Sequence, residues 1–152
     1  MKLSVPRVLG LFLVSAFVLS ACSKGTSTPV ADINDGATIT GLITVSPEMQ
    51  SKVQPTDVLF IIARKDVGPP LAVKKIPNPS FPVAYALTSN DVMFPGTPFQ
   101  GEVKVIARID KDGSAGPAQP GDLEGTAAKV PARVGDRNVD VIINRENDAT
   151  PP

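Results

Sequence analysis

The chain of 152 residues contains no histidine, no tryptophan, one cysteine and one tyrosine. Without His there is no Ser-His-Asp or Cys-His nucleophile pair, no imidazole metal ligand and no imidazole proton shuttle. One Cys excludes a zinc or redox site made of several thiolates, and it excludes an internal disulfide. Neither sign of charge is in excess, since 15 Lys and Arg balance 15 Asp and Glu. A nucleic-acid binder usually shows a basic surplus and stacking aromatics, so no nucleic-acid partner is expected. No residue set calls for a metal or a cofactor.

The longest apolar run lies at the start. Lys2 and Arg7 precede VLGLFLVSAFVLSA, Val8 to Ala21, which is shorter than the roughly 18 to 20 apolar residues a membrane-spanning helix needs. It reads as an export signal that is removed. Leu19-Ser20-Ala21-Cys22 resembles the lipobox of bacterial lipoproteins. That resemblance implies cleavage before Cys22, acylation of its thiol and amine, and permanent attachment to the cell envelope facing the periplasm, because several acyl chains hold a protein stably where one does not. Ser23 follows the Cys, which in enterobacterial-type sorting implies the outer membrane. The expected organisation is a signal at 1–21, a polar tether at 22–36, one domain at 37–145 and a frayed tail at 146–152.

Within the domain the hydrophobic period is two. In EVKVIARI, Val103, Val105, Ala107 and Ile109 share one face and Glu102, Lys104 and Arg108 the other, interrupted by Ile106. In NVDVIIN, Val139, Val141 and Ile143 alternate with Asn138, Asp140 and Asn144, interrupted by Ile142. TITGLITV (38–45), VLFIIAR (58–64), PLAVKKI (70–76) and PVAYALT (82–88) complete six strand segments. VLFIIAR is apolar on both faces and is expected in the middle of a sheet.

Sixteen prolines sit mostly between these segments, where a missing N–H costs no ladder bond. Long helices are thereby disfavoured. Ser46-Pro47-Glu48 is the exception, a helix opening with Ser at the cap, Pro at the first position and an acid at the positive dipole end. It predicts a short turn over 47–53 with Met49 and Val53 facing inward. Strands without long helices imply an all-β antiparallel sandwich.

Read in order, I-x-G-x-I-x-V-x-P (Ile39 to Pro47), P-x-D-x-L-F-x-x-A-R (Pro55 to Arg64), G-P-P-L-A-V (Gly68 to Val73), the segment with Pro82, Tyr85, Leu87, Asp91 and Met93, the segment V-x-A-R-I (Val105 to Ile109) and P-G-D-L-x-G (Pro120 to Gly125) resemble the C-terminal periplasmic domain of the cytochrome c-type biogenesis protein H (CycH) family. The resemblance covers about Ala37 to Asn144. It implies an Ig-like sandwich of about seven strands with one short helical turn. Full-length members carry the domain behind membrane spans and tetratricopeptide repeats and deliver apocytochrome c to haem ligation, so apocytochrome c or another exported polypeptide is the implied partner.

Several features have two readings. Arg64 and Arg108 end the similar pieces IIAR and VIAR, so they flank one carboxylate-binding site on neighbouring strands or pair with acids such as Asp57 and Asp66. GPPLAV, with Pro69 and Pro70, is either an edge that docks a partner peptide or one that prolines keep from pairing. IDKDGS, with Asp110 and Asp112, resembles half of a calcium loop, but the required acid eleven positions after Asp110 is Gly121; the alternative is a turn. Phe81, Phe94 and Phe99 form an interaction patch or cap the sandwich. The favoured reading is a non-catalytic binding or accessory module. The alternatives are a hydrolase built on acids such as Asp91, Asp122 and Glu124, and a purely structural envelope protein. Oligomeric state is not legible.

Overall fold

Alternation in the sequence becomes two stacked sheets in a computed structural model that describes residues 37–148. The expected signal, Cys22, the tether and residues 149–152 lie outside the described residues. In chain order come β1 (Ile39–Val45), α1 (Pro47–Gln50), β2 (Val58–Arg64), β3 (Pro70–Pro77), β4 (Val83–Leu87), a 3-10 turn (Ser89–Asp91), β5 (Glu102–Asp110), β6 (Leu123–Thr126), β7 (Ala132–Arg133), β8 (Val141–Ile143) and β9 (Arg145–Glu146). The small sheet has the order β4-β1-β8; the large one runs β3-β2-β5-β6-β9, with β7 pairing the start of β5. Among the described residues no helix is long and apolar enough to cross a membrane.

The core forms where the alternating faces meet. Leu59, Ile61 and Ala63 of β2 and Val103, Val105, Ala107 and Ile109 of β5 face Ile39 and Ile43 of β1, Leu87 of β4 and Val141 and Ile143 of β8. Each Val, Leu or Ile among them removed from water contributes about 1.5 to 3 kcal/mol. As the apolar composition of VLFIIAR requires, β2 lies inside its sheet between β3 and β5. The result is an Ig-like β-sandwich.

Two glycines allow close backbone approach, and that of Gly125 lies where the sheets meet. A Cβ on Gly125 of β6 would stand 2.1 Å from the Ile142 carbonyl oxygen, and one on Gly41 of β1 would stand 2.2 Å from that of Val139. At this joint the chain leaves the small sheet through β8 and enters the large one as β9 against β6.

The structure departs from expectation at five places. There are nine strands among the described residues, because β6, β7 and β9, two to four residues long, are too short for an alternation to be read. The β1–β8 pair is parallel, in a sandwich expected to be antiparallel. Of NVDVIIN only Val141–Ile143 is strand; Val139 stays buried, its carbonyl accepting the Tyr85 hydroxyl at 2.6 Å. The helix ends at Gln50, and Ser46 makes no side-chain cap bond, although Met49 and Val53 do pack on the core. Glu146 and Asn147, placed in a frayed tail by composition, are held: Glu146 pairs Leu123 in β9, and Asn147 accepts from Gly121 at 2.9 Å and donates to Asp122 at 2.7 Å.

Candidate functional site

One row on the outer face of the large sheet is apolar where a solvent-facing sheet is ordinarily polar. Cross-strand register explains the pattern row by row. Val73, Ile62 and Ile106 are consecutive partners across β3, β2 and β5, followed by Thr126 on β6. The next row reads Lys75, Phe60, Arg108, Glu124 and Arg145. Across the first row lies a groove of about 480 Å³ whose lining includes Phe60, Ile62, Val73, Ile106, Met93 and Pro117.

The closed end is made by the chain after β5, which folds back over the sheet. Arg108 donates to the Gly116 carbonyl at 2.9 Å and to that of Ser114 at 3.5 Å, and Lys75 donates to Gly113 at 3.0 Å. These two cations reach Phe60 from the strands on either side, Lys75 at 5.6 Å and Arg108 at 5.7 Å from the ring centre, within cation–π range. Phe60 is 2 % exposed.

Beneath the returning loop, Arg108 lies 3.2 Å from Asp110 and 4.0 Å from Asp122, all three buried. Burial, the bond with Asp112 and the Asp122 charge raise the Asp110 pKa against the pull of Arg108. Arg108 Nε and Asp110 Oδ2 have no hydrogen-bond partner, so the cluster holds by charge more than by bond geometry.

Of the residues singled out from the sequence, Arg64, Pro70 and Arg108 line this one groove. Their roles differ from the paired-fork expectation. Arg108 is held beneath the returning loop on Asp110 and Asp122 and is not free to fork on a ligand, whereas Arg64 is exposed and its side chain donates one bond, to Gly68 at 3.3 Å. Neither pairs with Asp57 or Asp66; Asp57 is buried, accepts from the Gln54 amide and holds Lys111, both at 2.8 Å. Pro69 is exposed in the β2–β3 hairpin and does not line the groove. GPPLAV begins an edge strand, but that edge is already taken near its start: Ala72 bridges Val92, and Leu71 accepts from Met93 at 3.1 Å.

The other candidates are occupied structurally. Asp91 closes a capping box on Thr88 and pairs with Lys74 at 3.2 Å. Asp122 accepts from the Gln119 and Lys111 amides at 2.7 and 3.1 Å, and Glu124 pairs with Arg145. In IDKDGS both Asp110 and Asp112 accept from the Ser114 amide, which is the turn reading; among the described residues no three acids converge as a metal site. Phe99 is in the core and Phe81 packs against it, but Phe94 is 54 % exposed. A wider cleft of about 700 Å³, near Val53, Pro55, Phe81 and Pro82, has no charged lining residue.

Phe60, Ile62, Val73 and Met93 were not singled out as groove residues by sequence reasoning. The available signal was the broken alternation at Ile106 and the two-faced apolar character of VLFIIAR.

The description "Cytochrome c-type biogenesis protein H Ig-like domain" matches residues 39–144. An uncharacterized protein of Aquifex aeolicus is 30 % identical over 109 residues, covering 70 % of each chain. The cytochrome c-type biogenesis protein CycH of Pseudomonas aeruginosa is 32 % identical over 91 residues, covering 57 % of this chain and 22 % of that protein. The chain thus spans about a fifth of the CycH length. No solved structure matches it. With nearly the whole described fold inside the matched segment, the chain belongs to the cytochrome c-type biogenesis protein H Ig-like domain family.

Proposed function

We propose that this chain is a non-catalytic binding module of cytochrome c biogenesis, attached to the outer membrane by lipid on Cys22 and facing the periplasm. The groove of the large sheet docks a segment of an exported polypeptide, with apocytochrome c the foremost partner. The carrying observation is that an apolar row, Val73, Ile62 and Ile106, is left open between a loop wall and a cationic end. Such a surface gains by covering itself with apolar side chains. Family membership supplies the process, and the structural engagement of Asp91, Asp122 and Glu124 speaks for binding over hydrolysis.

A photo-crosslinking residue in place of Val73, used in intact cells, tests the reading. Recovery of exported polypeptides that include apocytochrome c is the expected result, lost with Ile62→Glu. Recovery of only lipid and bulk porins overturns it and favours a structural envelope role. Membrane release of Cys22→Ser tests the anchor separately.

A further inference from the structure

At the open end of the groove, register and charge single out Arg64 and Lys104. They are directly opposed on β2 and β5, and both belong to the outward-facing set of their strands. Like charges opposed on one face destabilise an antiparallel pair. No acid of the described fold offsets these two. The Arg64 side chain has only its bond to Gly68, and the Lys104 side chain makes no hydrogen bond or ion pair among the described residues. Glu102, further along the same face of β5, holds Arg133 at 2.9 Å, and Glu124 on the groove wall holds Arg145. Asp66, in the hairpin after β2, forms no ion pair with either cation. Two uncompensated cations therefore stand against the apolar row, while the cation at the other end, Arg108, is neutralised internally by Asp110 and Asp122.

The geometry points to an anion subsite continuous with the groove: Arg64 and Lys104 are specificity-determining residues that take the side-chain carboxylate of an Asp or Glu in the docked polypeptide. Apolar residues flanking that acid lie on Ile62, Ile106, Val73 and the adaptable thioether of Met93. The inference rests on the groove reading and narrows it, from any apolar segment to one in which an acid interrupts the apolar run. A guanidinium fork beside an ammonium fits a carboxylate with both directed bonds and added charge.

The test uses the full chain and labelled peptides of alternating Ile and Ser around a central Glu, Gln or Lys. The Glu peptide is expected to bind about fivefold more tightly than the Gln peptide, with the margin shrinking as salt rises. Arg64→Gln with Lys104→Gln should bring the Glu and Gln peptides to equal affinity, and Arg64→Glu with Lys104→Glu should turn the preference toward the Lys peptide. Equal binding of Glu and Gln peptides, with both lost in Ile62→Glu, overturns this inference and leaves the groove reading intact. Failure of every peptide to bind overturns both. Binding to phosphatidylglycerol vesicles that the double Gln variant weakens, with no discrimination among peptides, assigns the pair to a lipid surface and overturns the inference.

Discussion

On the small sheet, Leu42 and Ile142 stand out, 39 % and 55 % exposed, from a face otherwise made of Thr40, Thr44, Ala84 and Ala86. On the large sheet, Ile62 and Ile106 stand in one row between a returning loop and two cations. Both faces show apolar side chains to water, and scattered exposure of that kind is ordinary. What separates them is the surroundings: walls, an adaptable Met93, and charge that is neutralised at one end and left open at the other. Apolar exposure marks a site here only where the fold has also built something around it.

Removing the charge cluster at the closed end should break that distinction most strongly. Arg108→Met leaves Asp110 and Asp122 buried without their cation, and losing one partner of a buried pair costs about 3 to 5 kcal/mol. Arg64→Met, on the same face but exposed, should change stability by less than about 0.5 kcal/mol. Urea unfolding of the two variants measures this contrast directly. Similar small losses in both would mean that Arg108 is no more structural than Arg64.

Where the two sheets meet, the next largest effect is expected. Gly125→Ala forces a Cβ onto the Ile142 carbonyl oxygen, and overpacking of this kind costs about 1 to 3 kcal/mol. The same substitution at Gly121 meets no neighbour within 4 Å and carries only the strain of its φ of 89°. A lower urea midpoint for Gly125→Ala than for Gly121→Ala is the expected order, and the reverse would place the strain in the turn instead of the joint.

These glycines also show what was legible in the sequence. Gly41, Asp57, Tyr85, Asp91, Asp122 and Gly125 carried the family resemblance, and each has a structural job: close approach, a carboxylate on backbone amides, or a hydroxyl on a distant carbonyl. The same motifs also hold Phe60, Arg64, Pro70, Val73, Met93 and Arg108 of the groove lining, so motif strength did not separate the residues that build the fold from those that line the groove. The long strands were legible because one buried face enforces alternation. The two interruptions of that alternation, Ile106 and Ile142, fell on opposite sheets, and a one-dimensional pattern cannot say which of them has walls. The returning loop at 111–118 was invisible because backbone carbonyls, not side-chain types, hold Arg108.

A smaller, pH-dependent effect sharpens the account of the closed end. Asp110 has a pKa raised above its ordinary 3.8, chiefly by burial. A raised folded-state value means that the native state holds its proton to higher pH than the unfolded chain does. The ionised carboxylate therefore costs stability near neutrality, and the cost is relieved as pH falls through the folded value toward 3.8. Wild type should gain stability relative to Asp110→Asn over that window, read as the difference in urea midpoint against pH. A flat difference, or one that falls on acidification, would mean that Arg108 outweighs burial.

The smallest effect on stability is expected from the pair of residues that drew the comparison. Ile142→Thr keeps a β-branched side chain on an open face and should shift stability by no more than about 0.5 kcal/mol. Ile62→Thr, half-buried in the groove floor, should cost about 1 kcal/mol. In peptide binding the two should part further. Ile62→Thr loses the δ methyl, worth about 0.8 kcal/mol of apolar burial, and also exchanges the γ methylene for a hydroxyl, so affinity should fall at least about fourfold. Ile142 faces the other side of the sandwich and should leave affinity unchanged. Anisotropy titrations with the Glu peptide on both variants decide the matter: equal weakening would mean that apolar exposure anywhere on the sandwich captures polypeptide, and the groove's walls would lose their meaning.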